Sequence, residues 1–184
     1  MAEDYKQDYN TFEEYPSMSY NIISYLVDNN EMIWKLLKHS HENAWKESDL
    51  TKAEKGALIY NGGTGQTDYR VFLDGGQDDS WTKEACFLRV PVLEVIPTNY
   101  VYGYVTMGFE IYCHHKVNTL SNYTTRVDTI AQQILATLNG ESIGGVGRMY
   151  FDYRSNARTR VTTIGSVPYR GKAVLMCNWI SSKS

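Results

Sequence analysis

Residues 101–113 read V-Y-G-Y-V-T-M-G-F-E-I-Y-C. Val101, Gly103, Val105, Met107, Phe109, Ile111 and Cys113 share one side of a two-residue period. Tyr102, Tyr104, Thr106, Gly108, Glu110 and Tyr112 share the other. Successive side chains of a strand point to opposite faces, so this run predicts a long, half-buried antiparallel strand. A strand of that length commits the second half of the chain to a sheet.

The first part of the chain has a different period. Ile22, Ile23, Leu26 and Val27 fall on one face of a helix, and D-N-N-E then interrupts, offering Asp28 or Asn30 as the cap of a second. That second helix carries Ile33, Trp34, Leu36 and Leu37. In T-K-A-E, Thr51 caps a short third helix and Glu54 reaches back to the Thr51 backbone amide, with Ala57, Leu58 and Ile59 following. N-G-G-T-G-Q-T at 61–67 reads as a joint between the two regimes. A phosphate-binding loop would need a lysine there and a strand before it, and neither is present.

Beyond the joint, 69–73 predicts a short strand, and Pro91 marks an edge or a bulge within 86–96. Val127, Ile130, Ala131, Ile134, Leu135 and Leu138 form the amphipathic stripe of the longest helix, over 124–138. Asn122 or Thr124 caps it, Asn139-Gly140 closes it, and Arg126, Asp128, Gln132 and Gln133 face water. R-M-Y-F-D-Y and K-A-V-L-M-C-N-W-I read as strands around a polar tip, S-N-A-R-T-R, with V-P-Y-R-G as a turn. The expected fold class is α+β. A mostly antiparallel sheet is covered by that one long amphipathic helix, with an N-terminal helical segment and an extended N-terminal arm. The expected division is an arm at 1–17, a helical segment at 18–60, a Gly-rich linker at 61–68 and an α+β domain at 69–184.

The chain has 184 residues, 42% of them hydrophobic and 21% charged, enough for a packed core rather than a disordered coil. A net charge of −3 argues against a dedicated nucleic-acid binder. Cys86, Cys113 and Cys177 are odd in number and sit in apolar runs, which fits buried thiols in a reducing compartment. The acidic start is not a signal peptide, and no apolar run approaches the roughly 18 residues of a membrane span. The expectation is a soluble intracellular or virion protein. Fifteen tyrosines against five phenylalanines suit either an interface or half-buried strands.

Cys113, His114 and His115 are adjacent metal-ligand types. Neighbours on a strand diverge, and His39 and His41 lie far off in sequence without zinc-site spacing, so a metal is not expected. The same divergence argues against a Cys113–His114 catalytic pair. Asp78, Asp79 and Glu84 lack calcium-loop spacing. No catalytic residue and no cofactor is expected. Arg148, Arg154, Arg158 and Arg160 meet either DNA phosphates or an acidic neighbouring subunit. The arm itself supplies such acids: Glu3, Asp4, Asp8, Glu13 and Glu14 interleave with Tyr5, Tyr9, Phe12 and Tyr15. Tyr5, Tyr9, Phe12, Tyr15, Arg154 and Arg158 are therefore the expected subunit-interface residues.

From about Tyr69 to Ile180, the order of elements resembles the tail-terminator and head-to-tail-joining proteins of tailed bacteriophages. The resemblance rests on Arg70-Val71-Phe72, on Val92-Leu93-Glu94-Val95-Ile96-Pro97, on a long strand ending at Ile111-Tyr112, and on an amphipathic helix ending L-N-G before paired strands. It implies a structural virion protein, not an enzyme, forming a homo-oligomeric ring, hexamer or dodecamer, in the neck or at the tail end. Its implied partners are portal, connector or tail-tube proteins, with passing contact to genomic DNA and no membrane. Assembly would occur in the host bacterial cytoplasm. The first 60 residues depart from that family's compact members, which generally begin with a single helix. The alternatives are a nucleotide- or metal-dependent enzyme using 61–67 or Cys113–His115, and a binding module that forms no ring.

Overall fold

Two thirteen-residue strands, Tyr102–His114 and Tyr169–Ser181, pair along their whole length and form the spine of the molecule. The computed structural model describes residues 15–63, 68–74, 83–97, 102–151 and 159–181. In chain order the helices are α1 (Met18–Asn29), α2 (Met32–Lys38), α3 (Lys52–Ala57) and α4 (Arg126–Leu138). The strands are β1 (Val71–Phe72), β2 (Cys86–Arg89), β3 (Val92–Pro97), β4 (Tyr102–His114), β5 (Ser142–Ile143), β6 (Gly147–Tyr150), β7 (Arg160–Ser166) and β8 (Tyr169–Ser181).

The sheet is eight-stranded and mixed, in the order β1-β2-β4-β8-β6-β5, with β3 also on β4 and β7 also on β8. β2 and β3 occupy successive stretches of one flank of β4. Between them Pro91, which has no amide hydrogen to donate, breaks the ladder. Its carbonyl accepts from Gly108 N at 2.9 Å, and the register shifts between Val92 and Glu94. β6 and β7 divide the far flank of β8 in the same way. β1 runs parallel to β2.

This architecture overturns the expected antiparallel sheet covered by one long helix: it is a strand-rich, curled mixed sheet with short helices. The physical reason is length. Thirteen helical residues span about 20 Å, whereas thirteen strand residues span about 43 Å, so α4 cannot cover β4 and β8 alone. The N-terminal helices complete the layer. Ile22, Leu26, Ile33, Trp34 and Leu36 are fully buried in the same core cluster as Ile130, Ile134 and Leu138 of α4 and Val105, Met107, Phe109 and Ile111 of β4.

Local signals mostly appear where the residues place them. Thr51 and Glu54 form the capping box of α3. The cap of α4 is Thr125, one residue past the expected position, accepting from Asp128 N at 3.1 Å. Gly140, with φ of 87°, supplies the left-handed residue after α4. Tyr15–Ser17 form a short 3₁₀ turn leading into α1, and the rest of the expected arm lies outside the described residues.

Candidate functional site

The alternation of β4 separates two unlike faces. Val105, Met107, Phe109, Ile111 and Cys113 point to the helices and none reaches solvent. The opposite face carries Tyr104, Thr106, Gly108, Glu110 and Tyr112 in register with Trp179, Cys177, Leu175, Ala173 and Gly171 of β8. At one end Tyr104 and Trp179 pack edge-to-face, centroids 4.3 Å apart, and Trp179 remains 45% exposed. Leu93 of β3 lies over Gly108 and is 48% exposed; a Cβ at Gly108 would stand 2.9 Å from its Cδ1. In the middle, Arg89 Nη1 meets Glu110 Oε2 at 3.1 Å, and the Tyr112 hydroxyl donates to the same oxygen at 3.4 Å. Burial, then the Glu110 charge, holds the Tyr112 hydroxyl above its ordinary value. At the other end Tyr69, Phe72, Ala85, Phe87 and Tyr169 make a small second core. Arg70 lies over the Phe87 ring at 5.6 Å.

The flanks differ from the faces. β1 is covered, because Tyr60 N donates to Val71 O and Val71 N to Leu58 O. Among the described residues β3 pairs only with β4, and β7 only with β8. Across β3-β4-β8-β7 each strand is antiparallel to the next, so the two outer strands run in opposite directions on opposite sides. The stretch V-T-T-I-G of β7 has neither charge nor proline, and its Val161 is 41% exposed.

Of the residues expected at an interface, Tyr5, Tyr9, Phe12, Arg154 and Arg158 lie outside the described residues, and Tyr15 opens the turn before α1. Asp78 and Asp79 also lie outside them. Glu84 is described and pairs with Lys116. Of the 61–67 joint, Asn61–Gly63 are described: Asn61 Oδ1 accepts from Gly63 N at 2.9 Å and from the Tyr69 hydroxyl at 3.0 Å. Cys113 is buried, His114 packs edge-on to Tyr169 at 5.3 Å, and His115 starts a 3₁₀ turn. The two imidazoles do not diverge; their centroids are 4.6 Å apart, because the strand ends at His114 and its alternation ends with it. Among the described residues, no group of three or more His, Cys, Asp and Glu gathers as metal ligands would. No described helix is long and apolar enough to cross a membrane.

Arg126 corrects the reading of its helix. Expected to face water, it is fully buried. Its guanidinium donates to four carbonyls: Leu36 O at 2.6 Å, His39 O at 2.6 Å, His41 O at 2.9 Å and Val117 O at 2.9 Å. Three of these lie at or beyond the end of α2, where helix carbonyls lack intrahelical donors, so Arg126 fastens α2 to α4. Lys55 does the same for α1: it is buried, donates to Val27 O at 2.7 Å and pairs with Glu31. Both cations hold the helical layer together rather than facing a ligand. The signal available in sequence was only that Arg126 abuts the stripe residue Val127.

A family model described as YomW matches residues 30–165. The chain belongs to the YomW family. This is a phage-like Bacillus family, and the protein is accordingly phage-associated; the match specifies neither a tail terminator nor a head-to-tail joining protein. The matched span of this YomW-family chain includes α2, the Arg126 fastening, β4 and most of β7, and stops before β8. No curated protein and no solved structure matches the chain significantly.

Proposed function

We propose that this YomW-family protein is a non-enzymatic structural component of a phage particle, assembling through its sheet edges into a ring in the neck or at the end of the tail tube. The observation that carries the reading is the pair of oppositely directed outer strands. A second copy related by rotation brings its β3 alongside β7 in antiparallel sense, the arrangement in which main-chain groups of two edges satisfy one another. Such a head-to-tail contact is heterologous and closes into a ring when the rotation allows. Leu93 and Val161 place exposed apolar side chains on the two strands that would meet, and the charges beside them, Glu94 on β3 and Arg160 on β7, are opposite in sign. The resemblance to tail-terminator and joining proteins points to a hexamer or dodecamer bordered by portal, connector or tail-tube proteins. Arg148 and Arg160 are then candidates for passing contact with DNA. Phage membership of the family supports a place in the virion, with assembly in the host cytoplasm.

The test is the mass of the purified protein by light scattering, together with electron-microscope class averages and mass-spectrometric detection in purified particles. Closed rings, and the protein present in particles in ring stoichiometry, are the expected outcome. A monomer at assembly concentrations that is also missing from particles overturns the reading.

A further inference from the structure

Cys86 and Cys113 stand directly opposite one another on β2 and β4. The hydrogen bond from His114 N to Ala85 O, 3.0 Å, lies beside this pair rather than within it. In an antiparallel ladder bonded and non-bonded pairs alternate, so Cys86 and Cys113 form a non-hydrogen-bonded pair. Such pairs bring Cα atoms to about 4.5 Å, inside the roughly 4.4–6.8 Å range that a disulfide spans. Directly opposed residues share a face, and both thiols point into the helix-side core, where Cys113 Sγ lies 3.6 Å from His114 O. Neither is oxidised here. Cys177, also buried, pairs with Thr106 on the opposite face, so the register isolates one dithiol and leaves the third cysteine out.

We propose that Cys86 and Cys113 are a modification site of this protein, a dithiol that a disulfide oxidant of the glutathione class converts to a cross-strand disulfide. The inference stands on strand register alone and is independent of the ring reading. In the first step one thiol loses its proton, and the thiolate attacks a glutathione disulfide sulfur, forming a mixed disulfide and releasing one glutathione thiolate. In the second, the other cysteine, as thiolate, attacks the protein sulfur of that mixed disulfide and releases the second glutathione. The protein loses two electrons and two protons, and one glutathione disulfide becomes two glutathione thiols. The buried core has no room for a glutathionyl group, so the second step follows the first. Burial, then the neighbouring Cys113 thiol, pushes the Cys86 thiol well above its ordinary value. Reaction therefore proceeds on local opening of β2, which is only four residues long, and is slow. The product closes residues 87–112 into a loop, fastening β2, and β1 behind it, to the spine.

The experiment incubates the full chain with glutathione disulfide, quenches with an alkylating agent, and maps peptides by mass spectrometry beside thermal unfolding. The expected result is a peptide linking Cys86 to Cys113, Cys177 alkylated, and a melting temperature raised by about 5–10 °C. Cys113→Ala should show no oxidant-dependent shift; if that variant does not fold, the wild-type peptide map decides alone. Both thiols remaining alkylatable, a persistent glutathione adduct on either, or a bridge involving Cys177 overturns the proposal.

Discussion

The two faces of β4 are built from one alternating run and do opposite things. The helix side is continuous aliphatic and aromatic packing, closed by α1, α2 and α4. The other side mixes small residues with Tyr104, Trp179 and the Arg89–Glu110–Tyr112 group, leaving Trp179 and Leu93 substantially exposed. One face is where stability resides; the other is flanked by β3 and β7, which among the described residues pair on one side only.

The sharpest way to break that comparison is a deletion on the closed face. Phe109→Ala should lower stability by about 3–5 kcal/mol, read from the denaturant midpoint at constant slope. A loss below about 1 kcal/mol would erase the distinction between the faces. Ile134→Ala in α4 belongs to the same side and should cost about 2–5 kcal/mol. A smaller effect, under about half a kcal/mol, would mean that α4 does not close the core. Arg126→Leu tests whether the helical layer depends on its buried cation. Leaving the Leu36 and His39 carbonyls without the guanidinium, and His41 O with only the Ala44 amide, should cost about 2–4 kcal/mol, and amide exchange should quicken first in α2. An unchanged exchange pattern would show that water replaces the guanidinium without penalty.

On the open side the expected sizes reverse between stability and assembly. Leu93→Lys on β3, or Val161→Lys on β7, should change folding stability by less than about 1 kcal/mol while abolishing ring closure in size-exclusion and class averages. Rings that persist in both variants would leave the edges without an assembly role even if the protein forms rings by another contact. The smallest effect is titration. Tyr112 is held protonated above its ordinary 10.0, so its folded-state contribution is complete below pH 10 and is lost as pH rises through the folded value. Stability should therefore decline on the alkaline side, and Tyr112→Phe should flatten that decline. An identical slope in the variant would show that the group titrates as it does in the unfolded chain.

Much of the local structure was legible in the residues, because local rules set it. The period of 101–113 placed Val105, Met107, Phe109, Ile111 and Cys113 on the buried face of β4, Thr51 and Glu54 declared the start of α3, and Pro91 marked the break between β2 and β3. The expected site was less legible. Tyr5, Tyr9, Phe12, Arg154 and Arg158 lie outside the described residues, whereas Leu93 and Val161 matter only through which strands are outermost. The tyrosines divide between both readings: Tyr69 and Tyr169 fill a small core, while Tyr20 and Tyr123 are exposed.

What the sequence determined by itself is which side of an element the apolar residues occupy and where elements begin and break, since period, capping and proline act over a few residues. The tertiary structure alone decided what stands opposite. It buried Arg126 because the carbonyls of Leu36, His39 and His41 converge on it at and beyond the end of α2, and it made the sheet mixed by laying β1 parallel to β2. It set Cys86 against Cys113 through a register that neither strand encodes. Period tells a side chain which way to point; only the pairing of distant segments supplies the partner it meets there.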